Sequence, residues 1–431
     1  MKISTNKSCG WLLMISFVLS LISSFTQTIS SFWAGIPIWI AAFFLLPNIK
    51  KHQRNQVIVL FLMGLFSLIF ALFHNASLQY ILIALEANQK VINLLVAVGF
   101  LKVLTDRSAD VRPLPTGRFA LFRTLVGTHL FGSVLNMSSV IIVGDRLARQ
   151  GQVAPMQGLI LLRAFCICAF WSPFFAAMGL TLTVAPGAQL TTLIIYGIPL
   201  TIAAISITTW ELYKRPQSKS LHGFPMAVNS LWLPCTLAIV VITFHEFYPS
   251  INVLTLVSTT TVMFTALFLC FRTGINQARF ELVQHIKSGI SNSKNEIVLF
   301  AAAAMLASGI AALLSSLNLN LAPQHFGYLE AGFTVIVLVV LAMTGMHPVT
   351  GVTLAGSILA THVSDPNLLG LAMLMGWSLG IGLSPFSGVQ ISIQSRYDIR
   401  ARALLKLNWQ YAITMILICF AVLWLYTVTN Q

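Results

Sequence analysis

Apolar runs recur along this chain from end to end, and each is continuous over its length. That feature limits the fold more than any other. In hydrocarbon every backbone N–H and C=O has to be answered within the protein, so only helices and closed barrels cross a membrane. Strands of a membrane barrel alternate apolar and polar residues, and these runs do not alternate. They read as helices. Charged residues make up 8% of the chain and hydrophobic ones 57%, where a soluble domain carries about 25% charged. The fold class is therefore an all-α polytopic membrane protein, with about eleven transmembrane helices plus two re-entrant hairpins.

A net charge of +14 would suggest nucleic acid in a soluble protein. Here Lys and Arg sit in short clusters between apolar runs, as the positive-inside rule expects. The implied partner is the lipid bilayer, with no nucleic acid. Lys2 and Lys7 precede an apolar run from Trp11 with no small-x-small cleavage site after it, so this run reads as a first span rather than a signal peptide. Runs at 11–28, 32–48, 56–74 and 78–101 are joined by loops of two kinds. Lys50, Lys51 and Arg54 mark one, and Lys102, Arg107, Arg112 and Arg118 another, while 29–31 and 75–77 hold no Lys or Arg. The N-terminus is expected in the cytoplasm. The six cysteines fall mostly inside apolar runs. Cys166 and Cys168, two apart, face different sides of a helix, and no disulfide framework or metal-ligand spacing emerges.

Four later segments do not read as simple spans. Residues 119–145 have basic flanks at both ends, with Arg123 early and Asp145, Arg146 and Arg149 late. A re-entrant hairpin entering from the cytoplasm keeps both flanks inside and places His129 near its tip. Residues 156–184 are interrupted by Ser172-Pro173-Phe174, where proline removes a backbone donor. The run 190–212 returns to Lys214, Arg215 and Lys219. Spans at 229–247 and 251–271 lead to a loop with Arg272, Arg279, Lys287 and Lys294, whose QARFELVQHIKSGI stretch is amphipathic and suits a membrane surface. After a span at 297–316, two apolar arms, 327–343 and 347–361, flank Gly345-Met346-His347-Pro348. No Lys or Arg lies in 317–326 or 362–368, so this hairpin is expected to enter from outside. Residues 367–395 are interrupted at Ser384-Pro385-Phe386-Ser387-Gly388 and end at Arg396, Arg400, Arg402 and Lys406. A last span covers 408–427.

The order hairpin, broken helix, span thus occurs twice. Aligning Gly127-Thr128-His129 with Gly345-Met346-His347 brings Val134 onto Val352 and Ser139 onto Ser357. The histidine-to-serine spacing is then 43 residues in the first copy and 37 in the second. The opposite charge character of the two hairpins' flanks makes this an inverted-topology repeat, a common build of secondary transporters.

Such a repeat gathers hairpin tips and helix breaks near the bilayer midplane. Half-helix N-termini suit an anion, and freed carbonyls suit Na⁺. The expected substrate-binding set is Thr128, His129, Asn136, Arg163, Ser172, Pro173, His347, Thr350, Ser384, Ser387 and Gln390, with candidate Na⁺ positions near Gly127, Ser172, Gly345 and Ser384. Ser172, Ser384 and Ser387 either bind ligand or answer freed backbone groups. Arg163 either neutralises an anionic solute or snorkels to the cytoplasmic surface. The two histidines are proton carriers, ligand donors or hydrogen-bonded structural residues. Asn136, Gln390 and Gln394 either bind ligand or join helices. Asp145 and Arg123 are placed to anchor the first hairpin. Glu86 and Lys90, four apart, are placed to pair, and Glu330 and Glu246 to lie at the outer face. Few acidic residues fall deep in the repeats, so a carboxylate proton relay has little support; the coupling ion is Na⁺ or H⁺, and no cofactor is implied. No nucleotide loop, metal cluster or nucleophile-base set occurs, which argues against an ATP-driven pump and against an enzyme. An exporter of an oxyanion or toxic metabolite, a handler of lipid-linked substrates and a channel are the other readings.

In its twice-written order of hairpin, broken helix and span, and in strings such as GMHPVTG at a hairpin tip, the chain resembles the ion-transporter superfamily over residues 32–427. That group includes divalent-anion/sodium symporters, arsenite-efflux pumps and related antiporters. The dicarboxylate branch carries Ser-Asn-Thr at its tips; here Thr128-His129 and His347-Pro348-Val349-Thr350 stand instead, which departs from a dicarboxylate site. The resemblance implies scaffold helices in 1–117 and 213–316. It implies a mobile transport part in 118–212 and 317–431, a homodimer and an elevator-type movement. The expected location is a bacterial inner membrane, with the C-terminus periplasmic. A C-terminal alkaline phosphatase fusion should be active and a C-terminal green fluorescent protein fusion dark; the reverse pattern would refute this topology.

Overall fold

A computed structural model describes residues 2–105, 113–224, 232–248 and 251–430. Arg107 and Arg112 lie outside the described residues, as do the side chains of Lys2 and Glu246. The chain begins with α1 (Lys2–Thr26), α2 (Phe32–Leu45), α3 (Lys51–Phe73), α4 (Gln79–Leu85), α5 (Gln89–Phe100) and α6 (Lys102–Thr105). A first group of five follows: α7 (Arg118–Leu135), α8 (Met137–Ala148), α9 (Pro155–Cys168), α10 (Ala176–Val184) and α11 (Leu190–Lys214). Next come α12 (Trp232–Phe247), α13 (Val253–Thr273), α14 (Ile275–Gln284) and α15 (Lys294–Ser316). A second group of five closes the chain: α16 (Tyr328–Met343), α17 (Pro348–Leu359), α18 (Pro366–Leu383), α19 (Gly388–Tyr397) and α20 (Ala401–Thr429). Eight helical stretches among the described residues are long and apolar enough to cross a membrane, and four shorter helices are apolar as well. Phe43, Phe73 and Phe271 are 73%, 83% and 89% exposed. Side chains that large and that bare suit a hydrocarbon surround. The protein is an all-α, multi-pass membrane protein.

The helices form two compact units. One comprises Met1–Ser108, Leu237–Ala322 and Gly356–His362; the other comprises Ala109–Thr236, Pro323–Ala355 and Val363–Gln431.

In the first unit, α3 and α15 pack along their length. Their backbones touch because two glycines meet: a Cβ on Gly309 would fall 2.0 Å from the Gly64 carbonyl oxygen, and one on Gly64 would fall 2.5 Å from the Leu306 nitrogen. Between helices in lipid, close van der Waals approach of this kind replaces the hydrophobic drive. Residues 78–101 are not one continuous helix. Ala87 and Asn88 have φ of 54° and 52°, and the helix restarts at Gln89. Neighbouring helices answer the break: Asn88 Nδ2 donates to the Phe300 carbonyl at 3.0 Å, Trp39 Nε1 to the Ala84 carbonyl at 3.2 Å, and Ser31 Oγ to the Glu86 carboxylate. The expected Glu86–Lys90 pair needs an unbroken turn, and the two left-handed residues remove it. The amphipathic stretch is helical over α14 and winds into a π-turn at His285–Gly289. There burial, with the Lys102 charge second, pushes the His285 imidazole down to about 4.

In the second unit the two groups of five helices share one register. A shift of 212 residues carries Asn136 onto Pro348 and Ser172-Pro173-Phe174 onto Ser384-Pro385-Phe386 with no gap. The same shift brings the starts of α8, α9, α10 and α11 to within one residue of those of α17, α18, α19 and α20. This corrects the alignment on the histidines. His129 lies inside α7, and the chain breaks seven residues later at Asn136, whose φ is 51° and ψ −135°. The physical reason is local. Gly127 and Gly132 do not stop a helix that its neighbours pack well, whereas the break at Asn136 is held by its side chain, whose Nδ2 donates to the Phe174 carbonyl. His347, by contrast, sits in the break between α16 and α17, beside Gly345 with φ 106°. In both copies the second arm folds back on the first. Ser139 Oγ lies 3.1 Å from where a Gly132 Cβ would be, and Leu338 Cδ2 3.1 Å from a Gly351 Cβ.

Helices α9 and α18 form the centre of this unit. Beyond its first residue all of α9 is buried, and so is α18 beyond its first two. A helix apolar all round belongs in a core. They cross near their C-terminal ends, where Ser378 Oγ donates to the Cys166 carbonyl at 2.8 Å. Gly309→Val should cost on the order of 1–3 kcal/mol through overpacking, lowering the unfolding temperature in detergent. Gly388→Ala, where a Cβ meets nothing within 4 Å, should leave it unchanged or raised. Equal effects would refute the Gly64–Gly309 contact.

Candidate functional site

Four interruptions define the site: Asn136 and 169–175 in the first repeat, Thr344–His347 and 384–387 in the second. All belong to the second unit. Proline at 173 and 385 brings no N–H to the helix ladder, so each broken helix stops before it and restarts a turn later.

The first repeat binds its own break. Ser172 Oγ donates to the Ser133 carbonyl and accepts from Phe174 N at 3.2 Å. Asn136 Nδ2 donates to the Phe174 carbonyl at 3.1 Å. The break in the hairpin and the break in the broken helix are thereby joined. His129, 2% exposed, has both ring nitrogens engaged. Nδ1 faces the Ala164 carbonyl at 3.2 Å, and Nε2 lies 3.2 Å from Trp171 Nε1. The indole can only donate and the carbonyl only accept. The ring is therefore the neutral Nδ1–H tautomer, a latch between α7 and the break in the broken helix. Neither α8 nor α10 has a side-chain cap at its N-terminus.

The second repeat is arranged differently. His347 Nδ1 accepts from Val349 N at 3.2 Å and caps α17. Its proton is then on Nε2, which leaves a donor available on a half-buried ring. Ser387 Oγ caps α19 by accepting from Gln390 N at 3.4 Å, and Ser384 Oγ accepts from Phe386 N at 3.4 Å. The Phe386 ring lies against Gly345, 3.1 Å from where a Cβ would stand, so hairpin break and helix break touch here too. Gln390 Nε2 donates to the Gly382 carbonyl at 3.0 Å. Its Oε1 has no hydrogen-bond partner, nor has Thr350 Oγ1, and both residues are fully buried. Thr128 Oγ1, in the first repeat, is in the same state. Buried polar atoms are nearly always hydrogen-bonded, so orphans beside helix breaks point to bound solute, ion or water.

Two expectations change on this geometry. Gly127 lies within α7, so its carbonyl belongs to a helical ladder, whereas Gly345 lies in the break between α16 and α17. Arg163 is 1% exposed and does not snorkel. Nη1 pairs with Glu211 at 3.1 Å and lies 3.3 Å from Thr208 Oγ1, Nε donates to Asn408 Oδ1 at 2.9 Å, and Nη2 to the Leu407 carbonyl at 3.3 Å. Its guanidinium also lies 4.0 Å over the Tyr411 ring. Protein groups occupy most of its donors, and Glu211 balances its charge. Glu211, Thr208, Asn408 and Tyr411 were not picked out in the sequence. Their signal was polar residues three apart near the ends of two otherwise apolar helices. Near the C-terminal end of α8, Asp145 pairs with Arg396 at 3.2 Å and accepts from Tyr397 Oη at 2.9 Å.

No family model matches the sequence, and no curated protein matches it. Among solved structures, the YdaH transporter of Alcanivorax borkumensis is similar to this chain with a TM-score of 0.41 and 13% identity, over 85% of this chain and 88% of that one.

The two histidines should separate on substitution. His129→Ala orphans a buried carbonyl and an indole N–H, so a loss of about 1–3 kcal/mol is expected. His347→Ala removes one cap and should cost about 1 kcal/mol. Thermal unfolding of both variants in detergent checks this, and a larger loss for His347→Ala would contradict the assigned bonds.

Proposed function

We propose that the protein is a secondary active transporter that moves a small anionic solute by alternating access, coupled to Na⁺ or H⁺. The observation that carries the reading is the single register of 212 residues relating two five-helix groups. Each group is interrupted at corresponding places, and those places lie inside apolar surroundings. Backbone is interrupted at membrane depth only where protein or a cavity answers it, and paired interrupted helices in a repeat are the usual frame of a transport site. Three apolar runs of the sequence, at 229–247, 251–271 and 297–316, separate the groups, and an odd number of crossings would invert the second relative to the first.

The donors and acceptors divide between the repeats. The uncapped N-termini of α8 and α10 suit an anionic group. His347 Nε2–H, the Thr350 hydroxyl and Gln390 Oε1 suit the solute's polar remainder or a coupling ion. With Arg163 balanced by Glu211, the helix ends and not a free guanidinium would attract the anion. Both ring nitrogens of His129 are engaged, so a proton carrier, if H⁺ is the coupling ion, is better sought at His347. A bacterial inner membrane, a cytoplasmic N-terminus, a periplasmic C-terminus and a homodimer complete the proposal. Export of an oxyanion or toxic metabolite would use the same frame, since direction depends on coupling alone.

The test is thermal unfolding of the purified protein with carboxylates, sulfonates, phosphates and oxyanions, each in NaCl and in choline chloride. A ligand at a hundred times its Kd stabilises the folded state by about 2.7 kcal/mol. A rise for one anion class that is larger in Na⁺ is the expected result. A Na⁺-independent rise would favour H⁺, and no rise for any anion would overturn the anionic-solute reading.

A further inference from the structure

The buried Arg163 cluster is continuous with the second helix break. From Arg163, Nε donates to Asn408 Oδ1; Asn408 Nδ2 donates to the Gly382 carbonyl at 3.0 Å; and the same carbonyl receives Gln390 Nε2. Every orientation in this chain is forced. A guanidinium cannot accept and a backbone carbonyl cannot donate, so neither amide can be flipped without opposing like groups. The Gly382 carbonyl accepts from both amides, so Asn408 ties it to Arg163 while Gln390 turns Nε2 toward it and leaves Oε1 pointing away, unpartnered.

The repeat supplies an internal control on what the fold needs. Under the 212-residue shift Arg163 corresponds to Met375, Thr208 to Phe420 and Glu211 to Leu423. Asn408 corresponds to Tyr196, Tyr411 to Pro199, Gly382 to Phe170 and Gln390 to Met178. Met375, Leu423, Phe170 and Met178 are all buried. At the mate position, then, the same helices pack with apolar side chains. Holding them together does not call for ions. Removing an ion pair from water carries a desolvation cost that apolar packing avoids, so the charged version is poorly explained as a stitch.

We propose that Glu211, Arg163 and Asn408 act as a positioning relay that fixes the Gly382 carbonyl and the Gln390 carboxamide, holding the second helix break in one geometry. Glu211 neutralises and orients Arg163, Arg163 directs Asn408, and Asn408 shares Gly382 with Gln390. The consequence for a solute, an acceptor oxygen held ready at the break, rests on the transport reading. The consequence for the break itself does not.

The decisive variant is the double substitution Arg163→Met with Glu211→Leu, which installs the pair found at the mate position. Backbone hydrogen exchange is measured by mass spectrometry on peptides covering 382–392 and, as the internal reference, 170–180. The double variant is expected to fold, with exchange at least tenfold faster over 382–392 and unchanged over 170–180. The single variant Arg163→Met, which leaves the partly buried Glu211 with only its longer pairing to Arg215 at 3.8 Å, should show the same selective change together with a lower unfolding temperature. Wild-type protection over 382–392 in the double variant would overturn the relay. So would loosening spread equally over both breaks, or a double variant that does not fold, since each makes the cluster a structural stitch. If wild type shows no thermal response to any anion while the selective exchange change is present, the anionic-solute reading fails and the relay stands.

Discussion

A backbone group freed inside hydrocarbon has to be answered by protein, and the rest of this structure follows from that demand. Each interruption has its own set of answering groups. At Glu86–Asn88 the Trp39 indole answers the Ala84 carbonyl, while Ser31 and the Phe300 carbonyl hold the Glu86 and Asn88 side chains. At Ser172 the answering groups are Ser133, Asn136 and the serine's own hydroxyl. At Ser384–Ser387 they are two serine caps and Gln390, with His347 doing the same for α17. Polar residues in so apolar a chain therefore cluster at breaks, and most of them are occupied by the backbone. Those beside the second repeat's breaks whose hydrogen-bonding capacity is left over are Thr350, Gln390 and the outer nitrogen of His347, and Thr128 is in the same state in the first.

The two repeats solve the same backbone problem with different chemistry. The first closes on itself, through His129 bridging Ala164 and Trp171 and Asn136 bridging to Phe174. The second caps its half-helices with Ser387 and His347 and leaves the Gln390 and Thr350 oxygens unpartnered. The Arg163 cluster follows the same division: charged and directional on one side of the pseudo-symmetry, apolar on the other.

Much of the fold could be read directly. Spans, the two Ser-Pro-Phe breaks and the twofold order of elements follow from hydropathy and proline, which act locally. The histidine alignment misled because residue identity is a poor guide to register when only a few letters match; the break geometry at Asn136 gives a gapless shift that the letters obscured. The break at Ala87–Asn88 had no warning either, since alanine is an ordinary helix former and nothing in the local sequence marks its positive φ. Glu211 was not picked out because its place along the chain says nothing of Arg163, 48 residues earlier.

Composition and the spacing of apolar runs determined by themselves that this chain enters a membrane as helices, and where proline would interrupt them, because both effects depend on neighbours in sequence. Which polar groups are occupied and which remain open was decided only in three dimensions. A hydrogen bond joins one donor to one acceptor, and the partners of His129, Arg163 and Gln390 come from helices distant in the chain, so their availability exists only once those helices are packed.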